Sequence, residues 1–175
     1  MRDRPADRDE AFVRFASGRR PQLYRTAFLL CGDRHAAEDL LQQTFERVYV
    51  AWHRVQQAEE PDAYIRRIMI NEHTRRFRRG HREALVTEVP EPREPAGAGG
   101  DWAETRTTLL AALAGLPQRQ RQAVVLRYWE DLSETQAAQA MGCSVGTVKS
   151  QASRGIARLR LTPSLHGLTH TGGTE

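Results

Sequence analysis

The chain contains a single lysine, Lys149, and only two cysteines among its 175 residues. Cys31 and Cys143 lie far apart, and neither sits in a CxxC or Cys/His ligand spacing. That argues against a structural disulfide and against a zinc site, and leaves packing as the expected role of both. No apolar run is long enough to span a bilayer, and Met1 to Glu10 has no signal-peptide pattern, so no membrane insertion and a cytoplasmic location are expected. Strand-like alternation and internal repeats are missing as well. The expected fold is therefore all-α. A nucleic-acid enzyme would need clustered carboxylates for metals, or a nucleophile beside a base. The nearest acidic group, Glu38, Asp39 and Glu46, falls on an ordinary helix face, so the reading includes no catalytic residue, metal or cofactor. His166 and His170 stand four apart, but in a Gly/Thr-rich tail without a supporting thiol or carboxylate.

What the chain has in quantity is arginine: Lys+Arg number 26 against 22 acids, for a net charge of +4. The planar guanidinium suits phosphate because it donates paired hydrogen bonds. The richest segment for function is Ser133 to Arg160. Thr135 to Met141 reads as a helix whose Ala137, Ala138 and Ala140 permit close approach of a partner. Gly142 falls where the chain must turn left-handed. Ser144 then caps a second helix with Val145, Val148, Ala152 and Ile156 inward. Ser144, Thr147, Lys149, Ser150, Gln151, Ser153 and Arg154 are left for other faces. Cations beside short hydrogen-bonding groups suit a helix reading base edges in a major groove. The order of turn glycine, cap and buried valines favours a helix-turn-helix over a merely solvated hairpin.

The hydrophobic pattern divides the chain into two small helical domains. The first, residues 9–82, opens with a short helix from Asp9 to Ser17 carrying Phe12, Val13 and Phe15. Pro21 is read as opening a second helix, with Leu23, Ala27 and Leu30 inside. Asp33 caps a third that extends to Trp52, with Ala37, Leu41, Phe45, Val48 and Trp52 inward. Its outer face carries Glu38, Asp39, Gln42, Gln43, Glu46 and Arg47. Val55 to Glu60 is expected as a polar loop, and Asp62 to about Arg79 as a helix with Tyr64, Ile65, Ile68 and Met69 inside. Residues 83–104 are expected to be a flexible acidic linker rich in Pro and Gly. The second domain, 105–161, is expected to hold helices at Thr107 to Ala114 and Gln118 to Glu130, the latter with Ala123, Val124, Leu126 and Tyr128, and then the helix-turn-helix. A disordered tail is expected at 162–175.

A second basic surface interleaves the fourth helix: Arg66, Arg67, His73, Arg75, Arg76, Arg78, Arg79, His81 and Arg82. Such density raises the local positive potential that phosphate binding needs. Asn71 adds an amide of the kind used to hold an unstacked base. Two linked basic surfaces suggest contact with two separated DNA elements, each raising the effective concentration of the other.

Three segments carry a resemblance: AEDLLQQTFERVYVAW (Ala37 to Trp52), DAYIRRIMINEHTRRFRR (Asp62 to Arg79), and LAGLPQRQRQAVVLRYWEDLSETQAAQAMGCSVGTVKSQASRGIARLR. Together they resemble the extracytoplasmic-function, or group IV, sigma factors of the sigma-70 family, and most of all the SigE-like group of actinobacteria. The resemblance implies a dissociable specificity subunit of bacterial RNA polymerase. It implies that Asp39, Gln42, Gln43 and Glu46 dock on the β′ clamp helices. Asn71 occupies the asparagine position of the −10 pocket, and Arg66, Arg67, Arg75, Arg76, Arg78 and Arg79 would hold the melting duplex. The residues from Ser144 to Arg154 named above would read the −35 element, and the first helices of the second domain would meet the β-flap. It further implies promoter DNA and core polymerase as partners, an anti-sigma factor, and a minimal two-domain factor. The sequence departs from the family at Ala63, Gln151 and Ser153. The competing expectation is a polymerase-independent helix-turn-helix regulator that binds an operator as a homodimer. It explains residues 133–160 but leaves the first domain unused.

Overall fold

In the computed structural model the backbone is described for residues 5–84 and 101–162, with side chains at 7–80 and 107–162. The described residues form helices and no strands. The first helix, α1 (Pro5–Cys31), runs unbroken through Pro21, where the sequence pattern suggested two helices. A proline inside a helix removes one backbone hydrogen bond and normally kinks or ends it. Here the two halves share one inward stripe, in which Phe12 and Phe15 continue into Leu23, Ala27 and Leu30, and burial of the whole stripe keeps the helix continuous across the defect. Val13, between Phe12 and Phe15 on this helix, is 57% exposed.

Asp33 caps α2 (Arg34–Val50), its carboxylate accepting from the Ala36 N–H at 2.9 Å. Trp52 does not close this helix but opens a short one, α3 (Trp52–Gln57). Part of the expected polar loop is therefore helical, because Val55 is fully buried and anchors it. Phe12 and Phe15 meet Trp52 edge-on, with ring centroids 5.5 and 5.0 Å away. α4 (Pro61–Ala84) lies across α1 and α2 with Ile65, Met69 and Ile70 inward. Arg19 of α1 stacks over Phe15 and pairs with Asp62 at the start of α4, tying the two helices together.

Of the stretch read as a linker, residues 85–100 lie outside the described residues, and so does the tail from 163 onward, including His166 and His170. Asp101 to Glu104 belong to α5 (Asp101–Ala114). α6 (Gln118–Val124) continues into a π-helical turn, Val125–Trp129, closed by the Glu130 N–H on the Val125 carbonyl at 3.0 Å. A π turn adds about one residue to the helical repeat and rotates the side chains beyond it. Tyr128, named with Ala123, Val124 and Leu126 on this helix, is 64% exposed, whereas the Glu130 side chain is only 2% exposed.

α7 (Glu134–Met141) starts on a reciprocal capping box: the Gln136 N–H donates to Ser133 Oγ at 3.1 Å and the Ser133 N–H to Gln136 Oε1 at 2.9 Å. Gly142 at φ 60° supplies the left-handed turn. Ser144 then caps α8 (Val145–Arg160) by accepting from the Thr147 N–H at 3.1 Å. On α8, Val148 and Ala152 are buried, while Val145 and Ile156 are half-buried. Gly155 lies so close to α6 that a Cβ there would stand 2.6 Å from Val124 Cγ2. Only glycine permits that approach.

Candidate nucleic-acid interface

The outer face of α8 gathers the residues expected at a −35 duplex. Ser144, Lys149, Ser153 and Arg154 are exposed, and Thr147, Ser150 and Gln151 are half-buried beside them. Not all of their hydrogen-bonding capacity points outward. Ser150 Oγ donates back to the Thr147 carbonyl at 3.0 Å, and the Ser144 and Thr147 hydroxyls lie 2.9 Å apart. Lys149 Nζ is held 3.2 Å from Glu134 of α7. Arg154 and Ser153 are left as the exposed groups with donors directed to solvent. The face is held by the two caps and by Gly155, so its orientation is set by buried contacts behind it.

The second surface is on α4. Arg67, Asn71, Arg75, Arg78 and Arg79 are exposed along it, while Arg66 and Arg76 are half-buried. Asn71, Arg75, Arg78 and Arg79 line a groove of about 900 Å³ whose opposite wall is Arg119 of α6 and Met141 of α7. Three of the expected arginines are ion-paired. Arg66 Nε lies 3.2 Å from Glu130, Arg75 lies 3.4 Å from Glu72, and Arg76 lies 3.4 Å from Asp39. Glu72 is itself buried and also takes Arg47 of α2 at 3.2 Å. His73, counted in the basic run by sequence, is 7% exposed, and burial, ahead of the Arg121 charge, lowers its pKa from 6.5 to about 4. It is neutral at pH 7 and adds nothing to the positive surface. His81 and Arg82 lie outside the described side chains.

On α2, Asp39, Gln42 and Glu46 are exposed and Gln43 is half-buried. Gln42 donates to Glu46 at 3.1 Å. Gln42 and Glu46 border a groove of about 670 Å³ floored by Phe12, Phe45 and Tyr49. The sequence pattern exposed the polar side of this face but not its aromatic floor, because Phe12 comes from a different helix.

The largest difference from expectation lies between the two lobes, which pack on each other. α4 meets α7 and α6, and α1 meets α5 and the π turn. Glu130 accepts from Arg66, from Gln22 Nε2 at 3.3 Å and from Thr26 Oγ1, all in the first lobe. Gln122 of α6, 1% exposed, reaches His73 Nδ1 and Thr74 Oγ1, each at 3.0 Å. Gln118 donates to the His73 carbonyl at 3.3 Å. Arg121 donates to the Leu30 carbonyl at 2.8 Å and also to the Ala114 carbonyl, so one guanidinium closes the last turns of α1 and α5. That placement puts a cation at two negative helix ends. Its pKa is lowered, chiefly by burial. The sequence pattern pointed to no such seam, and it placed Arg66 and His73 on a DNA-facing surface instead. The available signal was polar Gln122 and Glu130 bracketing a run that is apolar apart from Arg127.

Both cysteines are free thiols, half-buried against the core. Burial, the largest influence, pushes the Cys31 thiol up to about 11. Among the described residues there is no cluster of His, Cys, Asp and Glu suited to a metal ion, and no helix long and apolar enough to cross a membrane.

The sequence matches the family sigma-70 region 2 over residues 16–83 and sigma-70, region 4, over residues 106–159. It is 38% identical over 149 residues to the RNA polymerase sigma-E factor of Streptomyces coelicolor, covering 85% of this chain and 84% of that protein. To the ECF RNA polymerase sigma factor SigE of Mycolicibacterium smegmatis it is 36% identical, covering 79% of this chain and 56% of that one. The fold is similar to that of the sigma factor RpoE of Bartonella quintana, solved in complex with the anti-sigma factor NepR. The TM-score is 0.64 at 26% identity, over 86% of this chain and 92% of that one. The chain, helical across its described residues and with a capped helix-turn-helix behind one basic face and an arginine-lined helix on the other lobe, thus belongs to the extracytoplasmic-function sigma factors of the sigma-70 family.

Proposed function

We propose that the protein binds core RNA polymerase and directs promoter-specific initiation by using α8 on the −35 duplex and α4 on the −10 strand. The observation that carries this is the pairing of two unlike basic faces in one small chain. α8 offers Ser144, Thr147, Lys149, Ser150, Gln151, Ser153 and Arg154, a set of short polar groups and cations suited to base edges in a duplex groove. α4 offers Arg66, Arg67, Asn71, Arg75, Arg76, Arg78 and Arg79, four of them lining a groove of about 900 Å³. Residues 9–82 would form the docking and −10 lobe, and residues 105–161 the −35 lobe.

Asp39, Gln42, Gln43 and Glu46 serve polymerase docking, with the aromatic floor of Phe12, Phe45 and Tyr49 adding apolar area. Flipping a base costs a few kcal/mol of unstacking, which the pocket and the phosphate contacts offset. The protein itself makes and breaks no covalent bond, and acts in the cytoplasm beside the polymerase. An anti-sigma factor is a further partner, by likeness to the Bartonella protein.

Run-off transcription with purified core polymerase and a promoter library tests this. Enrichment of templates sharing two separated motifs is the expected result. Arg154→Ala should weaken selection of the upstream motif, and Asn71→Ala that of the downstream one. Absence of transcription, together with polymerase-independent binding to a palindrome, would instead identify an operator-binding regulator.

A further inference from the structure

Glu72 follows Asn71 on α4, and it is buried, with 7% of its surface exposed. A carboxylate so placed loses most of its hydration and needs cations in place of the water. Its Oε1 has two of them: Arg47 Nε of α2 at 3.2 Å and Arg75 Nη1, one turn further along α4, at 3.4 Å. A second pair between the two helices, Arg76 with Asp39 at 3.4 Å, ends on a carboxylate that is 61% exposed. Solvent competes for that pair, and it holds its arginine loosely.

Arg75 is also one of the residues lining the Asn71 groove, together with Arg78 and Arg79. Arg78 and Arg79 have no ion pair among the described residues. Long side chains without a tether sample many rotamers and serve any phosphate that comes near. Arg75 differs because one of its nitrogens is anchored on a buried oxygen that a second helix also holds. A guanidinium carries five N–H donors in a rigid fork, so the bond to Glu72 leaves the others for a strand phosphate. The rotamer entropy of Arg75 is then lost on folding instead of on binding.

We propose that Glu72 determines specificity through Arg75, fixing its guanidinium beside Asn71 so that one nucleotide is held by base and phosphate together. This rests on the reading of α4 as the −10 surface. Glu72 itself touches no DNA and is a positioning residue. As a negative charge it opposes phosphate binding in general, and that effect is the same for every sequence. What the tether adds is a difference between sequences, because a phosphate meets a fixed Arg75 only when the correct base is seated at Asn71.

The test is run-off transcription with core polymerase on two competing templates that share the upstream motif. They differ at one position of the downstream motif, the one whose choice Asn71→Ala relaxes. The quantity read is the ratio of the two transcripts. A change in charge, in polymerase docking or in the amount of folded protein acts on both templates alike and cancels in this ratio. Glu72→Gln should lower the ratio roughly threefold or more, within the range for residues of one ion-pair network. Arg75→Ala should lower it at least as far, and adding Glu72→Gln to Arg75→Ala should change it no further.

Circular dichroism shows whether each variant is folded. Should Glu72→Gln fail to fold, Glu72→Asp keeps the charge but shortens the reach by one methylene, and it should lower the ratio as well. An unchanged ratio in the folded variant would overturn the proposal, whether total transcription rises, falls or stays the same. A drop of the same size when Arg75 is already alanine would overturn it too, since Glu72 would then act by another route. None of those results touches the promoter reading, which falls only if the wild-type protein fails to direct transcription with core polymerase.

Discussion

Gly155 sits at the closest approach of α8 to α6, and the contact is tight enough to work through in numbers. A Cβ at this position would lie 2.6 Å from Val124 Cγ2, 3.3 Å from the Gln120 carbonyl oxygen and 3.5 Å from Gln120 Cβ. Val124 is 6% exposed and branched at Cβ, so it has few rotamers into which to retreat. Overpacking of this kind costs about 1–3 kcal/mol. Against that, alanine is favoured over glycine in a helix interior by about 1 kcal/mol. The clash is with a buried side chain and lies well inside van der Waals contact, so overpacking should win. Gly155→Ala is expected to destabilise by about 1 kcal/mol, lowering the melting temperature by roughly 2–4 °C for a chain of this size.

Val124→Ala alone should cost on the order of 2 kcal/mol through lost burial and a small cavity. In the double variant the new methyl occupies the space that the valine vacates, so the two costs should fail to add by about 1 kcal/mol or more. Urea denaturation of the four proteins measures this coupling. A Gly155→Ala variant more stable than wild type, with additive behaviour in the cycle, would refute the close-approach account. Because α8 is seated on α6 through this contact, Gly155→Ala should also weaken −35 selection in run-off transcription.

The seam and the caps carry two further expectations. His73 is held neutral, with its pKa lowered to about 4, so the unfolded chain binds a proton first as pH falls. Its contribution to stability is complete above pH 6.5 and is lost as pH falls toward 4, amounting to on the order of 3 kcal/mol. His73→Gln should flatten that part of the pH–stability profile in chemical denaturation; an unchanged slope between pH 6.5 and 4 would show that His73 is not the group responsible. Ser133→Ala breaks one half of the capping box on α7 and should cost about 1 kcal/mol in the same assay, with Ser133→Asp recovering most of it.

Much of the helix-turn-helix is readable from residues alone because its determinants are local. Gly142 at the turn, Ser144 at the cap and inward Val148 and Ala152 each act within one or two helical turns of themselves. The same holds for Asp33 at the head of α2 and for the apolar stripe of α4. Elements whose state depends on a distant partner were not readable in this way. Pro21 looks like a helix start until the shared stripe of Phe12, Phe15 and Leu23 is seen packed as one face. Val55 looks like part of a loop until the core closes over it. Tyr128 fits an inward α-helical position, but the π turn carries it outward.

Sequence by itself determined the helical class, the two lobes and the placement of arginine and short polar groups on α4 and α8, since amphipathic period and capping chemistry are properties of neighbouring residues. Tertiary structure alone decided which of those groups are available. It buried His73 and removed its charge, set Glu130 against Arg66, and used Arg121 to join the ends of α1 and α5. Arg66 and Glu130 are 64 positions apart and Arg121 and Leu30 are 91 apart, and such pairings act in the low dielectric of a seam between lobes. No local pattern encodes that environment.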